Sequence, residues 1–183
     1  MAFWSDGKIS PKLSYKWVLT LGGVNDPIAA YTLRSFQKPS YNLGVAEYLN
    51  FNDVAYRPGI LSWNTVDANL VDAENTFENN TKILYSIMRK SGYVKDPRSA
   101  FHPATAIVKN RASANIGAGD SRYGGQVIFD QIDSSGKSIE QWILWNPFIS
   151  KANFGQATYA ADEMMTISVT IQYDFAEYRF GEN

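Results

Sequence analysis

The clearest pattern in the chain is a strict alternation of apolar and polar positions near its end. The apolar face carries Ile167, Val169, Ile171, Tyr173 and Phe175. The other face carries Thr166, Ser168, Thr170, Gln172 and Asp174. Period two over this length predicts one long, half-buried β-strand. Because strands commonly run about five or six residues, both the length of this strand and its second, hydroxyl-rich face need an explanation.

Weaker alternations predict several further strands. Residues 13–21 predict an opening strand that ends at the turn-forming residues 22–27 (GGVNDP). A second strand is expected within residues 28–36, before Pro39. Residues 126–133 and 138–145 predict a tight hairpin around the SSGK turn, whereas residues 146–163 are expected to be irregular or to form a short helix.

A second hairpin, of roughly ten residues per arm, is predicted in the first half of the chain. One arm covers residues 45–54, and the other returns along residues 60–70. Pro58 presets φ and Gly59 accepts a positive φ, so the RPG sequence is expected to reverse the chain. Both arms are rich in asparagine and aromatic residues and are not cleanly half apolar. We therefore expect a hairpin that is polar on both faces, which either projects into solvent or pairs with something else.

One helix is predicted after these strands, followed by a long loop. Phe77, Leu84 and Ile87 are helically spaced, and Asn75 with Glu78 resembles a capping box. Residues 93–125 are too long and irregular for an ordinary connection, so we expect this insert to be functional or partly mobile. The predicted architecture is mainly β: seven strands in a sandwich or barrel with one flanking helix. The expected organisation is an N-terminal arm (residues 1–12) and a single domain (residues 13–180).

Composition narrows the function classes. The formal net charge of the 183 residues is −1, so the chain has no global basic field to attract nucleic acid. It contains no cysteine, which excludes disulfides and thiolate metal sites. Neither a secretory signal nor a membrane-length apolar run is visible, so we expect a soluble protein folded in a cytoplasm, with no membrane anchor. Charged residues are 19%, a low share that suggests a surface partly covered by partners.

The search for catalytic chemistry finds little. His102 is the only histidine, and the GAGDSRYGG segment lacks the third glycine of a dinucleotide fingerprint. SSGK has the spacing of a Ser–Lys pair but lies in a predicted turn, and acids near residues 67–78 are explained by a helix N-terminus. We therefore expect no enzymatic activity, no cofactor and no metal. The long loop is basic and the C-terminal segment acidic, which offers an electrostatic contact between neighbouring copies.

Three segments carry a family resemblance: YKWVLTL and the strands after it; GILSWNTVDANLVDAENTFENNTKILYSIM; and EQWILWNPFISKANFGQATYAADEMMTISVTIQYDFAEY. In their order and in the terminal strand, residues 13–178 resemble the tail tube proteins of contractile-tailed bacteriophages. Related tube proteins occur in type VI secretion systems and pyocins. The resemblance implies a β-sandwich or barrel with one flanking helix, six copies per ring, and rings stacked into a hollow tube.

The same resemblance implies partners, a location and site residues. The tube would conduct phage DNA, and in some systems proteins, inside a virion tail assembled in the host cytoplasm. The implied partners are further copies of the chain, the tail sheath protein, baseplate and tail terminator proteins, and a tape measure protein in the lumen. A tube initiator in the baseplate is a close variant. The pore should be lined by a polar, non-basic face, because a cationic wall would bind phosphate and stall DNA.

Three sets of residues are assigned roles on this basis. The expected lumen-facing residues are Thr166, Ser168, Thr170 and Gln172. The expected inter-ring hairpin tip comprises Tyr56, Arg57, Pro58 and Gly59. The expected subunit-contact loop includes Lys109, Arg111 and Arg122. Two alternatives remain open: a monomeric ligand-binding or enzymatic β-barrel with an aromatic pocket near Trp142 and Trp145, and a sheath or capsid decoration protein.

Overall fold

Most of the described residues form paired β-strands. In several of these strands, buried and more exposed residues alternate. The computed structural model describes residues 16–20, 32–74, 79–91, 116, 125–157 and 163–180. The elements are β1 (Trp17–Thr20), β2 (Leu33–Phe36), β3 (Tyr41–Asn50), β4 (Asp53–Trp63), β5 (Val66–Val71), α1 (Asn80–Ser91), β6 (Gln126–Ile132), β7 (Ser138–Trp145), β8 (Phe148–Asn153), β9 (Thr166–Gln172) and β10 (Phe175–Phe180). Within these residues all strand pairs are antiparallel.

Two four-stranded sheets form a sandwich. The strand order is β1-β6-β7-β10 in the first sheet and β2-β5-β9-β8 in the second. Alternate residues of both sheets meet in one core, which includes Leu19, Val127, Phe129 and Leu144 from the first sheet and Val66, Leu70, Ile167, Val169 and Ile171 from the second. Each such side chain contributes about 1.5–3 kcal/mol on burial. The core therefore explains why these segments alternate.

Aromatic and ionic contacts join the two sheets beside β1 and β2. Phe36 stacks on Phe129 with ring centroids 4.3 Å apart, and Trp17 meets Phe36 edge-on at 4.9 Å. Lys38 Nζ lies 2.7 Å from the buried Glu140 carboxylate. Trp142 Nε1 donates a hydrogen bond to the same carboxylate oxygen over 2.8 Å. Burial of this carboxylate is tolerated because it is both paired and hydrogen-bonded.

Helix α1 begins later than predicted. The Asn79 side chain accepts a 2.7 Å hydrogen bond from the Lys82 amide, which is the geometry of an N-cap. Asp72 accepts a 2.6 Å hydrogen bond from the Thr81 hydroxyl, so this acid does complement the helix N-terminus as expected. The predicted capping box of Asn75 and Glu78 lies outside the described residues. The buried side of the helix carries Ile83, Leu84 and Ile87.

The terminal segment is two strands, not one. β9 belongs to the second sheet and β10 to the first, so the chain crosses between layers at Tyr173 and Asp174. The Asp174 amide donates to the Trp145 carbonyl over 3.0 Å, and Asn146 Nδ2 donates to the Asp174 carboxylate over 2.9 Å. The corner does not interrupt the alternating pattern of the sequence. Tyr173 is the last core-facing residue after β9, and β10 begins at Phe175 in the other sheet.

The predicted long hairpin forms, but it turns elsewhere. β3 and β4 meet at Phe51 and Asn52, so Arg57, Pro58 and Gly59 lie within β4 and the expected turn at RPG is wrong. The returning arm also breaks after Trp63. The Asn64 amide and side chain bind Ser40 there at 2.9 and 3.0 Å. After Asn64 the chain leaves the two-stranded hairpin sheet. The next strand, β5, pairs with β2 and β9 in the second sheet.

The predicted fold class is confirmed in its main features. The structure is mainly β, in sandwich-like sheets with one helix among the described residues, although these form ten strands rather than seven. Residues 148–153 form β8 instead of an irregular segment, because Ile149 completes the core and pairs with Ile171. The sheets do not close into a barrel within this part of the chain. The arm at residues 1–12 lies outside it.

Candidate assembly surfaces

The second sheet has a polar face that points away from the core. On β9, Ile167, Val169 and Ile171 are fully buried, so the intervening residues face outward. Thr166, Ser168, Thr170 and Gln172 therefore share one face, as predicted. We call this outward side of β2-β5-β9-β8 the polar sheet face.

Two rows of residues extend this face across neighbouring strands. One row crosses all four strands and contains Ser35, Asn69, Ser168 and Asn153. Asn69 Nδ2 donates to Ser35 Oγ in this row over 3.0 Å. The other row contains Asp67, Thr170 and Lys151. A hydrogen bond of 2.6 Å joins the Thr170 hydroxyl to the Asp67 carboxylate. The face thus offers hydroxyls, amides and charges of both signs to water.

The two edges of this sheet are available for pairing. β2 and β8 are the outermost strands, and within the described residues neither has a second strand neighbour. Such strands expose a row of backbone donors and acceptors, which readily pairs with a strand of another chain. A second copy of the same sheet can therefore continue the hydrogen-bond ladder on either side.

The β3–β4 hairpin is a separate two-stranded sheet, and its residues from Tyr41 to Ser62 are exposed wherever side chains are described. Because directly paired residues share a face, the register assigns each side chain to one side. One side is dominated by apolar side chains, interrupted by Glu47. We call it the apolar hairpin face, formed by Tyr41, Leu43, Val45, Leu49, Val54, Tyr56 and Leu61. The expectation of a hairpin that is polar on both faces is wrong.

The opposite side of the hairpin is more polar. Arg57 lies over the Tyr48 ring, 5.7 Å from its centroid, and Ser62 donates a hydrogen bond to the Asn42 carbonyl. Apart from Tyr48, the apolar residues in paired positions on this side are Ala46 and Ala55, which are small. The hairpin is thus amphipathic. A contiguous exposed apolar face of this kind marks an interaction surface.

A β-bulge decides which residues of β4 complete the apolar hairpin face. Leu43 pairs with Leu61 and Val45 pairs with Pro58, so β4 holds one more residue than β3 in this interval. In an unbulged strand of the same sequence, Ile60 rather than Leu61 would share the side of Val54 and Tyr56. The bulge favours glycine, because a Cβ on Gly59 would lie 3.0 Å from the Gly44 carbonyl oxygen, which is closer than most Cβ contacts. Gly59 therefore matters as a bulge residue rather than as a turn residue.

Phe51 is the residue at the hairpin tip that sequence patterns missed. It is fully exposed and has a φ of 50°, which is uncommon for a bulky side chain. The available signal was the NFND sequence, in which turn-forming residues surround Phe51 between two alternating segments. RPG gave a stronger turn signal, but there the proline fits an edge strand beside the bulge.

Strand β10 carries a second apolar surface. The rings of Trp142 and Tyr178 meet edge-on at 5.0 Å, and Tyr178 meets Phe180 at 6.5 Å. Tyr178 is 44% exposed and Phe180 is 68% exposed. We call these three residues the aromatic rim. They lie at the outer edge of the first sheet, on the side of the sheet that carries Phe129.

Glu177, an acid of the C-terminal segment, has two partners within the chain. Arg179 hydrogen-bonds Glu177 over 2.8 Å, and Trp145 Nε1 donates to the same carboxylate over 3.0 Å. These bonds hold the pKa of Glu177 below its usual range. Lys109, Arg111 and Arg122 lie outside the described residues. The predicted contact between the basic loop and the acidic segment therefore stays a prediction.

Comparison with solved structures identifies the fold. A chain of the anti-feeding prophage cap, which terminates the tube, superposes with a TM-score of 0.67 at 14% identity, covering 99% of this chain and 100% of that one. A chain of the PVC sheath–tube complex, from an extracellular contractile injection system in the extended state, gives 0.63 at 11% identity and covers 98% and 99%. A chain of the six-fold symmetrised anti-feeding prophage baseplate gives 0.63 at 9% identity and covers 94% and 97%.

The fold is that of contractile injection system tube and cap proteins. The resemblance to tube proteins is confirmed at the level of the fold. The sequence itself matches no protein-family model and no curated protein. Among the described residues, no cluster of three potential metal ligands occurs and no helix is long and apolar enough to cross a membrane.

Proposed function

We propose that copies of this chain form six-membered rings that stack into the hollow inner tube of a contractile injection particle. The observation that carries this proposal is the second sheet, which combines two open edges with a hydrated outward face. Pairing β2 of one copy with β8 of the next would close a ring without leaving free strand edges. The six-fold symmetry of the similar baseplate structure supports the number of copies.

The geometry of such a ring can be estimated. Four strands from each of six copies give a barrel of about 24 strands. With strands about 4.8 Å apart and tilted about 40°, the backbone diameter is roughly 48 Å. Side chains of the polar sheet face would reduce the lumen to roughly 35–40 Å, because they extend about 5 Å inward from each wall. The barrel would therefore enclose a wide aqueous channel.

The polar sheet face is suited to be the wall of this channel. Thr166, Ser168, Thr170 and Gln172 would line it, and Asp67 and Lys151 would balance each other's charge. A wall without one dominant sign retains neither a polyanion nor a polycation strongly. This supports passage of DNA, as in a bacteriophage tail, and equally of a protein cargo. Sheath, baseplate, terminator and tape measure proteins are the proposed partners in a particle assembled in the host cytoplasm.

Electron microscopy of the purified protein tests the proposal. We expect six-fold rings and stacked tubes with a central channel. A species that stays monomeric at high concentration would count against assembly and would favour a ligand-binding monomer. A particle decorated on its outside by this chain would favour a decoration protein.

Thiol chemistry tests the direction of the polar sheet face, since the chain has no native cysteine. In assembled tubes of Ser168→Cys, a small maleimide should label the thiol whereas a maleimide on a bulky polymer should not. The same variant before assembly is the control and should react with both reagents. Equal labelling of tubes by both reagents would show that this face is not the lumen.

A capping role is the second candidate, favoured by the likeness to the anti-feeding prophage cap over 99% of the chain. A cap ends a tube, so its copies should form single rings that do not continue into filaments. Tubes that grow with protein concentration would exclude this role, and isolated rings at every concentration would establish it over the tube role.

A further inference from the structure

The aromatic rim is a partly exposed margin of the core. Leu19, Phe129, Trp142 and Tyr178 form one row across the first sheet, from β1 to β10. Leu19 and Phe129 are buried and Trp142 partly so, but Tyr178 is 44% exposed. The neighbouring row ends in the still more exposed Phe180. The core-facing side of β10 is therefore only partly buried at Tyr178, which leaves apolar surface that a partner can cover.

The apolar hairpin face is another exposed apolar surface. It is a layer of aliphatic and aromatic side chains with no layer packed on it, and it exposes on the order of 700 Å² of apolar side-chain surface. That area approaches the roughly 800 Å² that each partner buries in a stable interface. A two-stranded hairpin is also marginally stable in water by itself. The hairpin therefore needs a packing partner to hold its shape.

We infer that the apolar hairpin face of one copy packs on the aromatic rim of another copy. The inference rests on the proposed assembly and names its contact surfaces. Two different surfaces make a heterologous contact, which can repeat from copy to copy, whereas hairpin against hairpin would close as a dimer and stop. Leu49, Val54 and Tyr56 lie toward the tip, farthest from their own sandwich, so they are the residues that reach the rim.

Cysteine pairs test this contact against matched neighbours. Val54 and Ala55 are adjacent in β4 and face opposite sides of the hairpin, while Tyr178 and Arg179 are adjacent in β10 and face opposite sides of the sheet. Chains carrying Val54→Cys or Ala55→Cys are mixed with tagged chains carrying Tyr178→Cys or Arg179→Cys. Each mixture is assembled, treated with a short bismaleimide and resolved by electrophoresis.

We expect the Val54→Cys and Tyr178→Cys mixture to give about ten-fold more tagged–untagged dimer than the other three mixtures, because only these thiols share an interface. Equal yields in all four mixtures, with tubes present by microscopy, would overturn this contact and leave the tube proposal intact. If wild-type chains form neither rings nor tubes, both proposals fail.

A double-mutant cycle covers the case in which a cysteine variant does not assemble. The critical concentration for tube formation is measured for Val54→Ala, Tyr178→Ala and the double variant. Each single change should raise it about ten-fold, and the double change should raise it by clearly less than their product, since both remove one contact. Independent, multiplicative effects would contradict a shared interface.

Discussion

Leu70 and Leu49 are the same residue type in two strands of one chain, but Leu70 is 0% exposed and Leu49 is 74% exposed. Leu70 packs in the sandwich, where two sheets cover each other. Leu49 lies in the hairpin, where a single sheet has nothing packed on its apolar side. The sandwich therefore buries most of its apolar side chains within one chain, whereas the hairpin leaves its apolar face exposed.

The difference shows that an alternation of apolar residues has two different consequences in this chain. In the sandwich it stabilises the folded monomer, because burial removes the side chains from water. In the hairpin the same alternation leaves the apolar side chains in water, where the proposed contact with another copy would bury them. Substitutions in the sandwich should thus change the free energy of unfolding, and those in the hairpin should change assembly.

Leucine truncation gives the largest expected effect. Leu70→Ala should lower the free energy of unfolding by about 2–5 kcal/mol, because it leaves a cavity in a packed core. Leu49→Ala should change it by less than about 0.5 kcal/mol, as expected for an exposed site. Urea unfolding of the monomer measures both. A comparable loss for Leu49→Ala would mean that the hairpin is part of the monomer's own core.

Two glycines with the same φ test how much a close backbone contact contributes to the stability of the sandwich. Gly155 has a φ of 83°, and a Cβ there would lie 2.7 Å from the Thr166 carbonyl oxygen, where β9 begins. Gly155→Ala should cost about 1–3 kcal/mol of unfolding free energy. Gly136, in the β6–β7 turn, has the same φ, but a Cβ added there would meet no atom within 4 Å, so Gly136→Ala should cost less. Equal losses would show that φ alone decides the cost.

Serine substitutions at two neighbouring positions test the hairpin without touching the sandwich. Leu61 lies on the apolar hairpin face opposite Leu43, whereas Ile60 lies in the bulge, where the β3–β4 register gives it no partner. We expect Leu61→Ser to raise the critical concentration for tube formation about ten-fold while the monomer's unfolding free energy changes by less than about 0.5 kcal/mol. Ile60→Ser is the control and should leave the critical concentration nearly unchanged. Equal effects of the two substitutions would mean that the apolar hairpin face is not required.

Alkaline pH gives an effect that is absent at neutral pH. Burial raises the pKa of Tyr173 to about 12 from its usual value near 10. The unfolded chain therefore ionises this phenol first, so stability is fully present below pH 10 and falls as the pH rises from 10 to 12. Tyr173→Phe should remove this part of the alkaline loss. An unchanged alkaline profile would mean that Tyr173 ionises equally in both states.

Local patterns predicted the sandwich well because its signals are local. Burial alternates along β9 as the sequence does, and the β6–β7 turn forms at SSGK, with Gly136 at positive φ. The resemblance of the whole chain to tube proteins also predicted the right fold. These features depend on short-range periodicity or on the order of elements, both of which a sequence displays directly.

Other features were decided by contacts that a sequence does not display. The corner at Asp174 depends on hydrogen bonds to Trp145 and Asn146, which are distant in the chain. The amphipathic character of the hairpin depends on a one-residue bulge that reverses the phase of β4. The polar sheet face was found on β9 alone, and its continuation through Asn69 and Asn153 required the strand order.

The crossing at Tyr173 and Asp174 also has a mechanical consequence. β9 and β10 are joined there with only two residues between them, so one covalent path runs from the second sheet directly into the first. Sliding one layer past the other would have to stretch this short connection and break the bond from the Asp174 amide to the Trp145 carbonyl. Shear applied to one layer is therefore transmitted to the other by backbone, not only by side-chain packing.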